Sequence, residues 1–166
     1  MTDATVDTKT FWRTLGERAT GMTIVTTAGA AGPAGFLGLS AAHVCADPPT
    51  LLVSIDAKTS ALPVVLESGC FAVNFLAAEG GQIVDDFFGK SGLSGADRFR
   101  DGDWTTLSTG APVCNKALGV FDCRLDKVVE HDAISIIIGT AVTANARGEG
   151  APLVFFRGKV VSDWNP

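Results

Sequence analysis

The sequence GFLGLSAAHVCADPPTLLVSIDAKTS, residues 35–60, joins a glycine-containing apolar segment, a chain breaker, a strand and a helix start. The breaker is Asp47-Pro48-Pro49, and the apolar strand that follows it covers residues 50–55. Residues 58–60, Lys-Thr-Ser, then offer one cation, two hydroxyl groups and the free backbone N–H groups of a helix start. This combination is typical of a binding site for an anion such as a phosphate group.

Length, composition and charge bound the class of protein. The chain has 166 residues, which fits a single domain over residues 1–166, and 46% of them are hydrophobic, enough for a substantial core. The net charge is −5 without a run of like charges, which argues against nucleic-acid binding and against electrostatic attachment to a membrane. No segment approaches 18 consecutive apolar residues, and residues 1–12 lack the features of a signal peptide. We therefore expect a cytoplasmic protein.

The cysteines and histidines do not form a metal-binding pattern. Cys45, Cys70, Cys114 and Cys123 include no Cys-x-x-Cys pair, and the chain has only two histidines. Zinc and iron–sulfur sites usually need such close spacing, so we expect no metal centre. The apolar neighbours of the cysteines favour small core residues in a reducing compartment.

Apolar patterning predicts many strands and about three short helices. Residues 1–7 are expected to be disordered, and Thr8 is expected to cap a helix that ends at Gly21. Further helices are predicted over residues 61–67 and 79–88, the latter burying Ile83, Val84, Phe87 and Phe88. The predicted strands cover residues 22–27, 35–40, 51–55, 70–76, 117–129 and 133–144, followed by a hairpin that turns at Gly158.

This pattern predicts a mainly β protein, a β-barrel with helical excursions, with an α+β sandwich as the alternative. The strand over residues 51–55 is expected to be buried on both sides. In the strand over residues 117–129, Asp122 is expected to face solvent. Gly139 is expected to be a β-bulge or a point of close contact.

Nine short motifs occur in order over residues 11–158. They are Phe11-x-x-x-Leu15-Gly16, Thr20 to Thr27 (TGMTIVTT), Gly35-Phe36, Asp47-Pro48-Pro49, Ser68-Gly69-x-Phe71-Ala72-Val73-Asn74, Arg98-Phe99, Gly110-Ala111-Pro112, Cys123 and Pro152 to Phe156 (PLVFF). Together they resemble the motifs of the short flavin reductases that serve two-component monooxygenases. Residues 109–113 (TGAPV), followed by an apolar strand, resemble both the reductases of 4-hydroxyphenylacetate 3-monooxygenase and the corrin reductases, and the resemblance does not separate the two. The resemblance implies an FMN-binding split β-barrel of Greek-key topology with a few short helices.

The resemblance also implies an activity. An NAD(P)H:flavin oxidoreductase of this kind passes hydride from nicotinamide C4 to flavin N5, and the reduced flavin diffuses to a partner oxygenase. The flavin is FMN or FAD, the donor is NADH or NADPH, and the protein is expected to be a homodimer. Two alternatives stay open: a flavin-bound reductase of another acceptor such as a cobalt corrin, and a flavin-binding protein without catalysis.

The residues that match family site positions are the candidate site. The candidate cofactor-binding residues are Gly35, Phe36, Leu37, Gly38, Ser40, Ser54, Lys58, Thr59, Ser60, Asn74 and Arg98. The family tends to place its nicotinamide-contacting histidine where this chain has Ile134, so His131, three residues earlier, becomes the candidate catalytic residue. Structural roles compete with each assignment: a capped helix at residues 58–60, an asparagine satisfied by backbone at Asn74, and solvated side chains at Arg98 and His131.

One departure from the family pattern bears on how a flavin would be held. Relatives read GFTASSFTSVSLDPP where this chain reads GFLGLSAAHVCADPP, so residues 37–45 have lost most of their hydroxyl groups. Backbone amides are therefore expected to replace side-chain hydroxyls around the flavin ring.

Overall fold

This computed structural model describes residues 5–163, which contain twelve strands and three α-helices. The strands are β1 Thr20–Gly21, β2 Thr23–Gly29, β3 Gly32–Leu37, β4 Ala42–Ala46, β5 Pro49–Asp56, β6 Cys70–Phe75, β7 Trp104–Thr106, β8 Pro112–Cys114, β9 Gly119–His131, β10 Ile134–Ala146, β11 Val154–Phe156 and β12 Lys159–Val161. The helices are α1 Thr8–Leu15, α2 Ala61–Ser68 and α3 Gly81–Phe87, with 3₁₀ turns at Ala78–Gly80 and Gly95–Arg98. None of the helices described is long and apolar enough to span a membrane.

Seven strands form one antiparallel sheet in the order β3-β2-β6-β9-β10-β5-β4. Its edge strands, β3 and β4, are consecutive in the chain and are joined by residues 38–41. A flat sheet would separate its two edges by about 29 Å, whereas the link from Leu37 to Ala42 reaches at most about 18 Å. The sheet must therefore curl until its edges approach, which confirms the predicted split barrel.

The inside of the curled sheet holds one hydrophobic cluster. Alternate residues of five strands point into it, and α2 adds Leu62 and Val65 from one end. Its buried members are Val25, Leu51, Val53, Ile55, Leu62, Val65, Phe71, Val73, Cys123 and Ile137. Only the inward residues of the strand over residues 51–55 are fully buried; Leu52 and Ser54 are half-buried, so the expectation of a strand buried on both faces is wrong.

A second cluster covers the outer face of β2 and β6, where α3 and β8 pack. Its buried members include Met22, Ile24, Ala72, Leu76, Ile83, Val84, Phe87, Val113, Cys114 and Leu153. Phe88 does not join them and is 47% exposed, contrary to expectation, because α3 ends at Phe87 and the chain turns away there. The outer face of β2 and β6 is therefore covered by α3, the helix predicted over residues 79–88, and by β8.

The N-terminal helix is shorter than expected. It ends at Leu15 rather than near Gly21, and Asp7 rather than Thr8 caps it by accepting a hydrogen bond from Thr10 N. Residues 1–4 of the stretch expected to be disordered lie outside the described residues. The helix joins the body where Arg157 N donates to Gly16 O and the Arg157 guanidinium binds the Glu17 carboxylate.

Asp122 is fully buried, so the expectation that it faces solvent is wrong. Its carboxylate accepts hydrogen bonds from Thr109 N at 2.8 Å and from the Thr109 hydroxyl. Strict alternation failed to predict this because a coil segment, not water, covers that side of β9.

Gly139 is both a bulge and a close contact, as expected. The register between β10 and β9 shifts between Ile138 and Gly139. A methyl group on Gly139 would lie 2.5 Å from Phe71 Cε1 and 2.8 Å from Arg124 O, far closer than normal packing allows.

We predict that Gly139→Ala lowers the free energy of unfolding by about 2 kcal/mol, because the added methyl group overpacks the barrel interior against Phe71. Urea denaturation measures the change. Gly21→Ala is the matched control, since a methyl group on that strand glycine would meet nothing within 4 Å. Equal effects of the two substitutions would contradict the packing argument.

Candidate functional site

The turn after β5 brings residues 58–60 to the start of α2. Asp56 organises this turn, since its carboxylate accepts a hydrogen bond from Lys58 N and its carbonyl oxygen accepts one from Thr59 N, both at 2.8 Å. Lys58 is exposed and forms no salt bridge with the residues that the structure describes. The turn therefore presents an uncompensated cation.

The N-terminus of α2 also has unused hydrogen-bond donors. Asp7 caps α1, but the Ser60 hydroxyl makes no capping hydrogen bond to α2. Within residues 5–163, the N–H groups of Ser60 and Ala61 have no backbone or side-chain acceptor. These donors, the positive end of the helix dipole and Lys58 together have the chemistry that an anion-binding site requires.

The link between the two edge strands lies next to this turn. The Ser40 hydroxyl donates to Ser54 O at 3.2 Å and accepts from Ser54 N at 3.0 Å, which attaches the link to β5. Gly38 N donates to Thr23 O at 2.9 Å, which attaches the same link to β2. The N–H groups of Leu39 and Ser40 have no acceptor among the described residues. Ser40 is thus brought to Ser54, which lies on β5, the strand that leads into the turn at residues 58–60.

The tip of the β9–β10 hairpin lies at the same end of the sheet. Ala57 N donates to Ala133 O at 2.8 Å, and Ile134 is paired with both His131 and Asp56. Two interstrand spacings, about 10 Å, therefore separate the backbones of His131 and Asp56. The His131 side chain is 79% exposed, with Asp132 Oδ2 at 3.9 Å from Nε2. The structure thus brings His131 near residues 58–60, although 70 residues of sequence separate them.

The side-chain positions of residues 35–38 face the protein instead of open space. A methyl group on Gly35 would lie 3.0 Å from Phe87 Cε1, and one on Gly38 would lie 2.5 Å from Val25 Cγ2. Phe36 packs against the cluster inside the barrel, and Leu37 packs against the outer cluster. The two glycines are therefore explained by close packing, and what these four residues can offer a ligand is mainly backbone.

Asn74 does not belong to the candidate site. It is fully buried, its amide donates to Ile24 O and Thr26 Oγ1, and its Oδ1 accepts from Cys114 N at 2.7 Å. Its hydrogen-bonding groups are engaged by β2 and β8, which leaves none for a ligand. The interpretation of Asn74 as a flavin contact is therefore not supported, and the structural role holds.

Arg98 lies beside Phe87, on the outer side of β3. Its guanidinium carbon is 5.7 Å from the centre of the Phe87 ring, and its Nε donates weakly to Leu93 O at 3.4 Å. The 3₁₀ turn that carries it contacts β3, so Arg98 approaches the strand that holds Gly35. It is not joined to residues 58–60 by any contact.

Sequence reasoning missed an ion pair with a buried carboxylate beside Arg98. Asp86 of α3 is 1% exposed, and Arg100 donates to both of its carboxylate oxygens, at 2.7 and 2.9 Å. These hydrogen bonds hold the pKa of the Asp86 carboxyl below its usual value. Only the position of Asp86 on the apolar face of the predicted helix, beside Phe87, could have signalled the pair.

Three cysteines are buried, and Cys45 on β4 is exposed, so its expected place in the core is wrong. Burial, with a smaller contribution from Asp122, raises the pKa of the Cys123 thiol to about 12. Cys123 therefore stays protonated at neutral pH and is not a nucleophile. The described residues contain no cluster of three or more His, Cys, Asp or Glu side chains able to hold a metal ion.

An apolar concavity lies away from the candidate residues. It has a volume of about 440 Å³ and opens at the end of β6, β9 and β10, lined by Phe75, Phe121 and Ala144 among others. The turn at residues 58–60, the edge-strand link and the hairpin tip instead form an open surface. A ligand bound there by one subunit would remain partly exposed.

Comparison with known proteins identifies a family whose model, described as flavin reductase like domain, matches residues 15–162. The curated relatives include the FMN reductase (NADH) RutF of Agrobacterium fabrum, 39% identical over 80% of this chain and 75% of the relative. They also include FMN reductase (NADH) RutF 2 of Methylorubrum extorquens, 35% identical over 93% of this chain and 88% of the relative.

Solved structures give the same result. BorF, the flavin reductase component of a bacterial two-component tryptophan halogenase, is 28% identical, with a TM-score of 0.85 over 93% of this chain and 97% of BorF. The Streptomyces globisporus NADH:FAD oxidoreductase SgcE6 is 25% identical, with a TM-score of 0.86 over the whole of both chains.

Proposed function

Since this chain belongs to the flavin reductase like domain family, we propose that it reduces FMN with NADH and supplies the reduced flavin to a partner oxygenase. The chain is an oxidoreductase, because its relatives over most of its length are FMN reductases. The observation that carries the proposal of a phosphorylated flavin is the set of unused donors at residues 58–60, and the names of the relatives favour FMN.

These residues fit the phosphate group of FMN. Lys58 supplies a positive charge, Thr59 and Ser60 supply hydroxyl groups, and Ser60 and Ala61 supply backbone N–H groups at a helix start. With the phosphate group held there, the flavin ring would lie toward Ser40 and Ser54. The free N–H groups of Leu39 and Ser40 support the expectation that backbone amides replace lost hydroxyls around the ring.

When bound, the flavin supplies the redox chemistry, accepting at N5 a hydride from C4 of the reduced nicotinamide. The protein's residues bind and orient. Residues 58–60 hold the phosphate group, the link at residues 38–40 positions the ring, and His131 is placed to contact the nicotinamide portion of NADH. No side-chain acid or base is needed for the hydride step, which agrees with the absence of a buried histidine.

The direct test is NADH oxidation by the purified protein, followed at 340 nm with FMN, FAD or riboflavin as acceptor and repeated with NADPH. We expect turnover with NADH and FMN. Flavin binding without nicotinamide oxidation would show a flavin carrier instead, and turnover only with a cobalt corrin added would show a reductase of that acceptor. Coupling to an oxygenase of the same genome would test the supply of reduced flavin.

We predict that Lys58→Met raises the KM for FMN about tenfold and leaves the KM for riboflavin unchanged, because riboflavin has no phosphate group. Steady-state kinetics with both flavins measure the split. Lys159→Met, which removes an exposed lysine from β12, is the matched control and is expected to change neither value. An equal rise for both flavins would contradict the phosphate assignment.

We predict that His131→Ala raises the KM for NADH about threefold to tenfold with little change in the KM for FMN. The reason is that the exposed imidazole lies at the end of the sheet that carries the flavin-binding residues. His43→Ala is the control, since His43 is also exposed but lies on β4. If both variants keep the normal KM for NADH, His131 is an ordinary solvated residue of the hairpin.

We also propose that the protein is a cytoplasmic homodimer. The amphipathic helix α1 buries none of its residues, and it exposes Phe11, Trp12 and Leu15 by 52%, 63% and 42%. Exposed aromatic side chains in one contiguous group favour burial against another protein. Three buried free cysteines agree with a reducing compartment.

We predict that the wild-type protein sediments as a dimer at micromolar concentration and that Phe11→Ser with Trp12→Ser weakens the dimer at least tenfold, because the substitutions remove the apolar group on α1. Val160→Ser is the control, since Val160 is exposed alone on β12. A stable wild-type monomer would overturn the dimer, and an unchanged dimer in the double variant would exclude α1 from the interface.

A further inference from the structure

The loop over residues 89–103 is attached to the body by an ion pair whose carboxylate is buried and whose guanidinium is exposed. Asp86, on α3, is almost completely buried. Arg100 lies near the end of the loop and forms a bidentate ion pair with it, donating to both carboxylate oxygens. Gln82 Nε2 donates to the same carboxylate at 3.2 Å. A surface pair, Lys90 with Asp85 at 3.1 Å, lies at the start of the loop. At the end of the loop, Asp103 binds Lys116 of the body at 3.0 Å, with the Asp103 side chain 21% exposed. The Asp86–Arg100 pair is the strongest of these attachments, because the Asp86 side chain is only 1% exposed and accepts two hydrogen bonds from Arg100.

The neighbour of Asp86 on α3 connects the loop to β3. The Phe87 ring lies 5.5 Å from the Phe99 ring, edge to face, and 5.9 Å from the Trp104 ring. The Arg98 guanidinium lies over the same ring. Two successive loop residues, Arg98 and Phe99, thus hold on to Phe87.

Phe87 in turn packs against β3. Its Cε1 atom is 3.0 Å from the position that a methyl group on Gly35 would occupy, so the ring fits against a bare backbone. Leu37 and Leu39 pack in the same cluster as Phe87 and Phe99. Leu39 belongs to the link over residues 38–41, which carries the free N–H groups proposed to face the flavin ring. The ion pair, the Phe87 ring and the link therefore all belong to, or adjoin, one hydrophobic cluster on the outer face of β3.

We propose that Asp86 and Arg100 are positioning residues for flavin binding, acting through Phe87 and the 89–103 loop on β3 and on the link at residues 38–41. The proposal rests on the proposed function, because it assumes that this link holds the flavin. The pair touches no ligand itself. It sets where the free backbone donors lie and keeps Arg98, which forms no salt bridge with any described residue, at the side of β3.

The consequence is a specific split in the kinetics. If the pair orients the link, its loss weakens flavin binding, since donors that are misplaced by a fraction of an ångström bind less well. The hydride step between cofactors that are already bound is affected much less. A pair that only stabilised the fold would lower the free energy of unfolding without changing flavin affinity in the folded protein.

The test compares Arg100→Met with Lys90→Met. Both variants replace a loop cation by a chain of similar length, but only the first breaks the pair with the buried carboxylate, and Lys90→Met breaks the exposed one. Equilibrium binding of FMN, measured by quenching of flavin fluorescence, is expected to weaken about tenfold in Arg100→Met and less than twofold in Lys90→Met. The kcat at saturating FMN is expected to stay within about twofold of wild type.

A double variant separates positioning from stability. Arg100→Met alone leaves a buried carboxylate without its cation, so we add Asp86→Asn with Arg100→Met, which removes both charges. The double variant is expected to recover resistance to urea while keeping the weakened FMN binding. Wild-type affinity in the folded double variant, or in Arg100→Met, would overturn the proposal.

Trypsin cleavage after Arg98 gives a readout without flavin. It is expected to be faster in Arg100→Met than in Lys90→Met, because the loop has lost its attachment. Cleavage at the same rate in both variants would overturn the attachment itself. If the wild-type protein binds no FMN while the cleavage rates differ as expected, the proposed function has failed and the attachment stands, so the two failures are distinguishable.

Discussion

The closure of the sheet by residues 38–41 is the constraint on which the rest of the structure depends. Because the edge strands β3 and β4 follow one another in the chain, a four-residue link spans what would otherwise be the full width of seven strands. The link is attached on both sides, to Thr23 of β2 and to Ser54 of β5. It is held tightly as a scaffold while two of its own N–H groups remain unused, so the element that closes the barrel also offers hydrogen bonds to a ligand.

Two different kinds of attachment surround this link. Inside the barrel, close packing fixes β3, since Phe36 packs against the inner cluster and Gly38 leaves no room beside Val25. Outside, an ion pair with a buried carboxylate and three aromatic rings press α3 and the 89–103 loop against Gly35. Dispersion and electrostatics thus act on opposite faces of one strand. The proposed phosphate site, by contrast, consists of groups without partners among residues 5–163: the Ser60 hydroxyl does not cap α2, and Lys58 forms no salt bridge.

Particular residues show how far pattern reading extends. The glycine-rich strand, the Lys-Thr-Ser turn, the bulge at Gly139 and the hairpin at Gly158 were all predictable, because each depends on local backbone chemistry. Asp122 was misjudged, and the two roles left open for Asn74 could not be separated, since their polar groups are satisfied by Thr109 and by Cys114 N, contacts that lie 13 and 40 residues away in the chain. The Asp86–Arg100 pair was missed for the same reason, because nothing local marks an aspartate on an apolar helix face as paired.

The sequence by itself determined that this is a mainly β relative of the flavin reductases, and it predicted an anion site at residues 58–60. Strand periodicity, the Asp-Pro-Pro breaker and the family motifs are properties of neighbouring residues, and they survive without knowledge of the fold. Only the tertiary structure decided which candidates meet. In the folded chain, the Ser40 hydroxyl contacts Ser54, and the hairpin that carries His131 pairs with Ala57. Asn74 is buried, and Arg98 lies beside Phe87 on the outer side of β3. These outcomes follow from sheet closure, because strands distant in sequence become neighbours only when the barrel curls.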